Sequence, residues 1–247
     1  MASIFEAFDS TMKEAFAGVK VLLWGIPFAY AVNSHSALGN IVGIIAAFLL
    51  FGFMVTLAHG VITKKPTVVP GINFIDFCVN GGMGLVAVLP YLVLTWIIIY
   101  FTNMFIMIPD HPIYTDTARI VCYLLAFSFP VTALAIFIRR RNMLEAFNLK
   151  KFNLGYGEVF LSYSYLFVKL AIVSFLVGGF LVYIFYLFIG FQNPFWHYLM
   201  CSLGVFYVII SGNYIAQISD EVYTFPEKEE EKKREDEKIA KLIDEQK

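Results

Sequence analysis

The chain has 247 residues, of which 59% are hydrophobic and 15% charged, and its mean hydropathy is +0.72. Soluble domains carry about 25% charged residues, so this composition excludes an ordinary soluble domain and indicates a membrane protein surrounded by the lipid bilayer. The formal net charge of −1 gives no reason to expect nucleic acid as a partner. The three cysteines are isolated and have no disulfide or metal-ligand spacing.

The first segment, residues 1–20, has an amphipathic pattern. Apolar residues such as Phe5, Phe8 and Met12 recur at helical spacing, with charged residues opposite them. The pattern predicts an interfacial helix that lies in the membrane surface, packs on the remaining helices, or does both.

Six apolar runs follow and predict an all-α bundle of about six transmembrane helices over residues 21–218. A helix needs about twenty residues to cross the hydrocarbon core. The first run is the shortest and contains Pro27, whereas the third and fifth exceed a straight crossing and are expected to tilt, kink or extend into water. The runs cover approximately residues 21–32, 41–62, 78–108, 118–138, 159–190 and 195–218.

The basic residues predict the orientation. With six spans, sixteen of the eighteen lysines and arginines lie on one side of the membrane, and the other two are Arg119 and Lys169. Because lysine and arginine concentrate in cytoplasmic loops, both termini are expected in the cytoplasm. We therefore expect a multi-pass protein of the plasma (inner) membrane.

Residues 219–247 form a charged tail. From residue 227 onwards the tail has low complexity, which is typical of a solvated helix or a disordered extension. A small apolar stripe of Ile239, Leu242 and Ile243 could alternatively dock another protein or start a short coiled coil. Residues 227–247 are thus the candidate contact with membrane or cytoplasmic partners.

Lys169 is a lysine within the fifth apolar run. A lysine at the centre of a span costs on the order of 3 kcal/mol on insertion scales, so its ammonium needs a partner or a route to the membrane surface. Either it snorkels to the headgroups, or it joins a polar cavity on the cytoplasmic side that binds an anionic headgroup, a small substrate or a proton. The predicted topology brings to that side Asp76, Asn80, His59, Asn213 and Gln217.

No catalytic constellation is found in the sequence. It contains no GxSxG or HExxH motif and no Gly-rich phosphate loop, so we expect no catalytic residues and no cofactor. His35, His111 and His197 fall in three different predicted outer loops without ligand spacing, so no metal site is expected either.

Residues 52–170 combine features in a recognisable order. A span is followed by a proline-containing loop, an acidic-aromatic segment, a glycine and a long span with proline and tyrosine, and later by Glu145-Ala146-Phe147 before another span. The first group consists of Pro66, Pro70, Asp76, Phe77, Gly81, Pro90 and Tyr91. This stretch resembles a prokaryotic membrane family catalogued as domain of unknown function 4013. The resemblance implies a multi-span fold and a bacterial or archaeal origin, and it carries over no activity.

Two hypotheses for function follow. The first is a non-enzymatic scaffold or accessory subunit of a membrane assembly, which fits the missing catalytic motifs and the charged tail. The alternative is a small-molecule or lipid transporter with a cytoplasmic-side polar cavity around Lys169, since kinked spans are typical of transporters. A salt bridge between Lys169 and Asp76 in a cavity would favour transport.

Overall fold

The computed structural model describes residues 4–13, 17–34, 36–64, 70–71, 73–106, 112–173, 175, 179–180, 183 and 193–224. Within these residues the secondary structure is helical, with no strand, which confirms the predicted all-α class. A π-helical turn, Asp220–Thr224, continues the last helix. The α-helices are α1 (Ile4–Met12), α2 (Ala17–Ser34), α3 (Ala37–Ile62), α4 (Phe74–Phe105), α5 (Pro112–Arg140), α6 (Met143–Ala146), α7 (Leu149–Val173) and α8 (Pro194–Ser219).

Five of these helices, α3, α4, α5, α7 and α8, are long and apolar enough to cross a membrane. Their outward surfaces are strongly apolar: only 22% of the most apolar stretch of α4 and 11% of that of α7 is buried inside the protein. Exposed apolar surface on this scale requires lipid around it. The chain is therefore a polytopic helical membrane protein. The 18-residue α2, which contains the short first run and Pro27, lies outside this group of five.

The helix boundaries differ from the apolar runs where the ends of helices are polar. Helix α7 begins at Leu149, well before the predicted run 159–190. The apolar run misses the first turns of this helix because they carry Lys150 and Lys151. Helix α4 likewise begins at Phe74 after its N-cap Asn73. Most of the end of the fifth run, and residues 225–247 of the tail, lie outside the described residues.

Helices α3 and α4 approach each other closely at two glycines. A Cβ atom on Gly52 would lie 1.9 Å from the carbonyl oxygen of Phe77, and one on Gly81 would lie 3.2 Å from the Cα of Gly52. Small residues at such points let helix backbones come together in membranes. Beside them, the Phe53 and Phe77 rings meet edge to face with centroids 5.4 Å apart, and Trp24 of α2 lies 5.7 Å from Phe53. These contacts join α2, α3 and α4.

Helix α5 lies at the centre of the second half of the bundle. Its residues 133–138 are all buried, and a helix that is apolar and buried all round must be enclosed by neighbours. Helix α5 contacts α3, α4, α7 and α8. The Ser219 hydroxyl of α8 donates a hydrogen bond to the Ala135 carbonyl at 2.5 Å, which ties the end of α8 to α5.

The close approach at Gly52 predicts that even one methyl group there destabilises the α3–α4 contact. Gly52→Ala would push Cβ into the Phe77 backbone, and overpacking of this kind typically costs about 1–3 kcal/mol. Gly60→Ala is the matched control, since Gly60 lies in the same helix and its Cβ would meet nothing within 4 Å. Thermal unfolding in detergent should show a lower melting temperature for Gly52→Ala alone. Equal melting temperatures for the two variants would contradict the packing.

Candidate functional site

Two of the predicted site residues form hydrogen bonds between helices. The Asn80 side chain of α4 is buried and donates to the Thr56 hydroxyl of α3 at 2.9 Å. His59 Nδ1 of α3 lies 2.8 Å from the Ile138 carbonyl oxygen, near the end of α5. Because a carbonyl oxygen accepts only, this nitrogen is the donor. The last carbonyls of a helix lack partners within the helix, so His59 satisfies one of them. Both residues hold neighbouring helices together.

Asp76 caps the start of α4. Its carboxylate accepts a hydrogen bond from the Asn73 side chain at 2.8 Å, and the Asn73 side-chain oxygen accepts from the Asp76 backbone amide at 3.4 Å. This reciprocal arrangement, with a negative charge in the first helical turn, stabilises a helix N-terminus. Asp76 also acts electrostatically on Arg141. Burial lowers the pKa of the Arg141 guanidinium, and the Asp76 carboxylate acts in the opposite direction.

Asn213 of α8 fastens the amphipathic helix α1 to the bundle. Its side chain is 1% exposed, and its amide nitrogen lies 3.2 Å from the Ala7 carbonyl, 2.9 Å from the Ser10 hydroxyl and 3.3 Å from the Thr11 hydroxyl. The amide nitrogen carries two hydrogens, so it can donate to two of these three acceptors at a time. Gln217, one turn further along α8, donates to the Asn213 side-chain oxygen at 3.4 Å. The side of α1 that carries Ala7, Ser10 and Thr11 thus faces α8, whereas the charged Asp9 and Lys13 are exposed.

Lys169 contacts aromatic rings. Its ammonium nitrogen lies 4.1 Å from the ring centroid of Tyr165, one turn earlier in α7, and 5.5 Å from that of Phe5 in α1. Cations are attracted to the faces of aromatic rings at these distances, by about 0.5–2 kcal/mol. None of the ion pairs found among the described residues joins Lys169 to Asp76. In the contacts described above, the five predicted residues each have different partners.

Lys169 lines a cleft of about 370 Å³ between α1, α7 and α8, which we call the α1 cleft. Apart from the ammonium group its walls are formed mainly by apolar side chains. Phe8 of α1, which also lines the cleft, meets Phe206 of α8 edge to face, with centroids 5.7 Å apart. Phe5 is 76% exposed and Ile172 54%, so the cleft opens towards the surroundings of the protein.

The connection between α5 and α7 carries a polar cluster that the sequence did not single out as a site. Glu145 accepts from Arg140 at 3.1 Å and from Lys151 at 3.2 Å. The Tyr91 hydroxyl of α4 donates to the Ala146 carbonyl at 2.7 Å, and its ring stacks on Phe152 with centroids 5.0 Å apart. The signal available in the sequence was an acidic residue between two basic stretches. These contacts fix the connection against the bundle.

The described residues contain no group of three or more His, Cys, Asp or Glu side chains that could hold a metal ion. His35 and His111, which fell in two of the predicted outer loops, lie outside the described residues. His197 is described, and its Nδ1 pairs with the Asn33 side-chain oxygen at 2.7 Å, which joins α8 to α2. This histidine therefore serves helix packing.

The Asn213 contacts predict that α1 is released when they are removed. Leaving buried acceptors unsatisfied costs about 1–3 kcal/mol, so Asn213→Ala should make amide exchange in α1 roughly 5- to 150-fold faster. Hydrogen exchange with mass spectrometry on the full chain in detergent measures this directly. Asn80→Ala, which removes a hydrogen bond between α3 and α4, is the control and should leave exchange in α1 unchanged. Unaltered exchange of α1 in Asn213→Ala would refute the fastening role.

Comparisons of the chain with family models, with curated proteins and with solved structures gave no match. Its own geometry therefore carries the functional argument. In the described residues this geometry consists of a helical membrane bundle, an amphipathic helix fastened by Asn213, an apolar cleft with one cation, and a fixed connection between α5 and α7.

Proposed function

We propose that the chain is a non-enzymatic scaffold or accessory subunit of a membrane assembly. The observation that carries this proposal is an exposed apolar surface where the candidate spans α5 and α7 are connected. Leu144 and Phe147, in the connection between α5 and α7, and Leu149, at the start of α7, are 77%, 41% and 69% exposed. We call these three side chains, with the neighbouring Arg140 and Lys150, the connector surface.

The connector surface is held in a fixed position. Beneath it, Ala146 is completely buried and accepts the Tyr91 hydrogen bond, while Glu145 is paired with two basic residues. A fixed surface loses less conformational entropy on binding than a flexible loop does. Exposed apolar side chains rimmed by charges are typical of protein–protein contacts. A partner at the membrane surface would bury the two leucines and Phe147 between the basic side chains.

The polar residues within the helices support a scaffold more than a transport pathway. Asn80, His59 and Asn213 each bond to a neighbouring helix, so their polar groups are used in packing. The alternative remains a small-molecule or lipid transporter centred on Lys169. Its support is the α1 cleft, which is apolar and opens sideways. The described lining of the cleft offers a hydrophilic substrate one charged group, that of Lys169. If the protein is a transporter, its cargo is therefore lipid-like.

The connector surface predicts site-specific capture of a protein partner. A photo-crosslinking amino acid at position 144 or 149 should form protein adducts in native membranes. The same probe at position 161 should form lipid adducts only, because Leu161 is equally exposed, at 67%, within the span formed by α7. Adducts are identified by mass spectrometry after purification of the full chain.

Substitution of the connector leucines provides the control. Leu144→Ala with Leu149→Ala should remove the captured protein from a crosslinking pulldown, whereas Leu161→Ala should retain it. Lipid adducts alone at positions 144 and 149, or an unchanged partner list, would overturn this contact. Deleting residues 227–247, which lie outside the described residues, tests the tail separately. If the deletion leaves the proteins recovered in the crosslinking pulldown unchanged, the tail binds none of them.

We further propose that α2 is the sixth span and that both termini lie in the cytoplasm of a bacterial or archaeal cell, as the family resemblance and the basic residues suggest. In support, α2 runs beside α8 over most of its length. Ala17 and Val21 near one end of α2 share a core cluster with Val205 and Ile209 of α8, and Asn33 near the other end pairs with His197. Eighteen helical residues reach about 27 Å, close to the thickness of the hydrocarbon core.

This topology predicts equal accessibility of the two termini. Epitope tags at each end should both react with antibody only after the plasma membrane is opened. If one tag reacts in intact cells, the number of spans is odd and α2 does not cross. If both react in intact cells, six spans are retained but the orientation is reversed.

A further inference from the structure

The α1 cleft combines an apolar lining with one positive charge. Lys169 stands at one side, and the other walls include Phe5, Phe8, Ile172, Phe206 and Ile210. Its volume of about 370 Å³ falls within the usual range of ligand pockets, about 300–1,000 Å³. The exposed Phe5 and Ile172 lie at its opening, where lipid surrounds the bundle. A ligand that enters from the bilayer reaches the cleft without crossing water.

Among the described residues, the Lys169 ammonium contacts aromatic rings and makes no ion pair, which leaves its N–H donors available to a ligand. The Tyr165 and Phe5 rings stabilise its charge through their faces, and a ring face is a much weaker hydrogen-bond acceptor than an oxygen. A lysine ammonium has three N–H donors and binds phosphate oxygens as a point charge. The matching ligand group is therefore an anionic oxygen attached to an apolar chain.

We propose that the α1 cleft binds one anionic phospholipid from the surrounding bilayer. The phosphate of the lipid contacts the Lys169 ammonium, and one acyl chain lies along Ile172, Phe206 and Ile210. Helix α1 forms one wall, and Asn213 keeps this wall in place. The proposal is independent of the connector surface, which lies on a different part of the chain, so either can fail alone.

Native mass spectrometry of the full chain in detergent tests the proposal. The protein is titrated with phosphatidylglycerol and with phosphatidylcholine that have identical acyl chains. Both headgroups carry a phosphate, but the choline cation of phosphatidylcholine neutralises that charge and is repelled by Lys169, whereas phosphatidylglycerol keeps a net negative charge. Phosphatidylglycerol should therefore bind about tenfold more tightly. Lys169→Gln should abolish this preference, and Lys169→Arg should retain it. Lys64→Gln, which removes an exposed charge just after the end of α3 and outside both proposed binding surfaces, is the control and should bind like the unaltered chain.

Two additional measurements separate the cleft from a general charge effect. Ile172→Trp places a bulky ring at the opening and should weaken binding of both lipids while leaving the melting temperature unchanged. Glycerol phosphate, which has no acyl chain, should bind far more weakly than phosphatidylglycerol. A phosphatidylglycerol preference that survives in a folded Lys169→Gln protein, or equal binding of the two lipids, overturns the proposal. Equally tight binding of glycerol phosphate would contradict a lipid ligand and would indicate a free phosphate ester instead.

Discussion

The structure depends on one constraint: inside the hydrocarbon core, polar groups must find their partners within the protein. Asn80 bonds to Thr56, the Thr95 hydroxyl donates to the Ala126 carbonyl at 2.7 Å, and the Ser219 hydroxyl donates to the Ala135 carbonyl. Each of these bonds joins two different helices. Lipid-facing helices gain little from the hydrophobic effect when they associate, so such bonds and close glycine contacts select which helices become neighbours.

The same constraint explains how much the sequence could predict. Long apolar runs indicate helices directly, because only a helix satisfies its own backbone within a single span, and the all-α class followed from this. The hydrogen-bond partners of the polar residues, in contrast, could not be predicted from the sequence. His59 meets a carbonyl 79 positions away and Asn213 one 206 positions away. Such pairs depend on the tilt and rotation of each helix, which are set by packing and leave no local sequence signal.

Helix α1 illustrates the difference in detail. Its apolar stripe correctly indicated an amphipathic helix, but the two large aromatic side chains of that stripe, Phe5 and Phe8, are exposed, while the small Ala7 and Thr11 are buried. The reason is the Asn213 amide: its acceptors on α1 come within reach only if the helix backbone approaches α8 closely. Small residues permit that approach, and the bulky aromatics then turn towards lipid and the α1 cleft.

Because the polar groups of Asn80, His59 and Asn213 are used in packing, the surfaces that we propose for binding other molecules lie at the periphery. The two peripheral surfaces differ in chemistry. The connector surface lies where the candidate spans α5 and α7 are connected and presents two leucines and a phenylalanine beside basic residues, which suits a protein that excludes water from them. The α1 cleft opens within the apolar surroundings, where burying more apolar surface gains little. Its selectivity must therefore come from Lys169, since a positive charge in an apolar cleft interacts more strongly with an anion than it would in water.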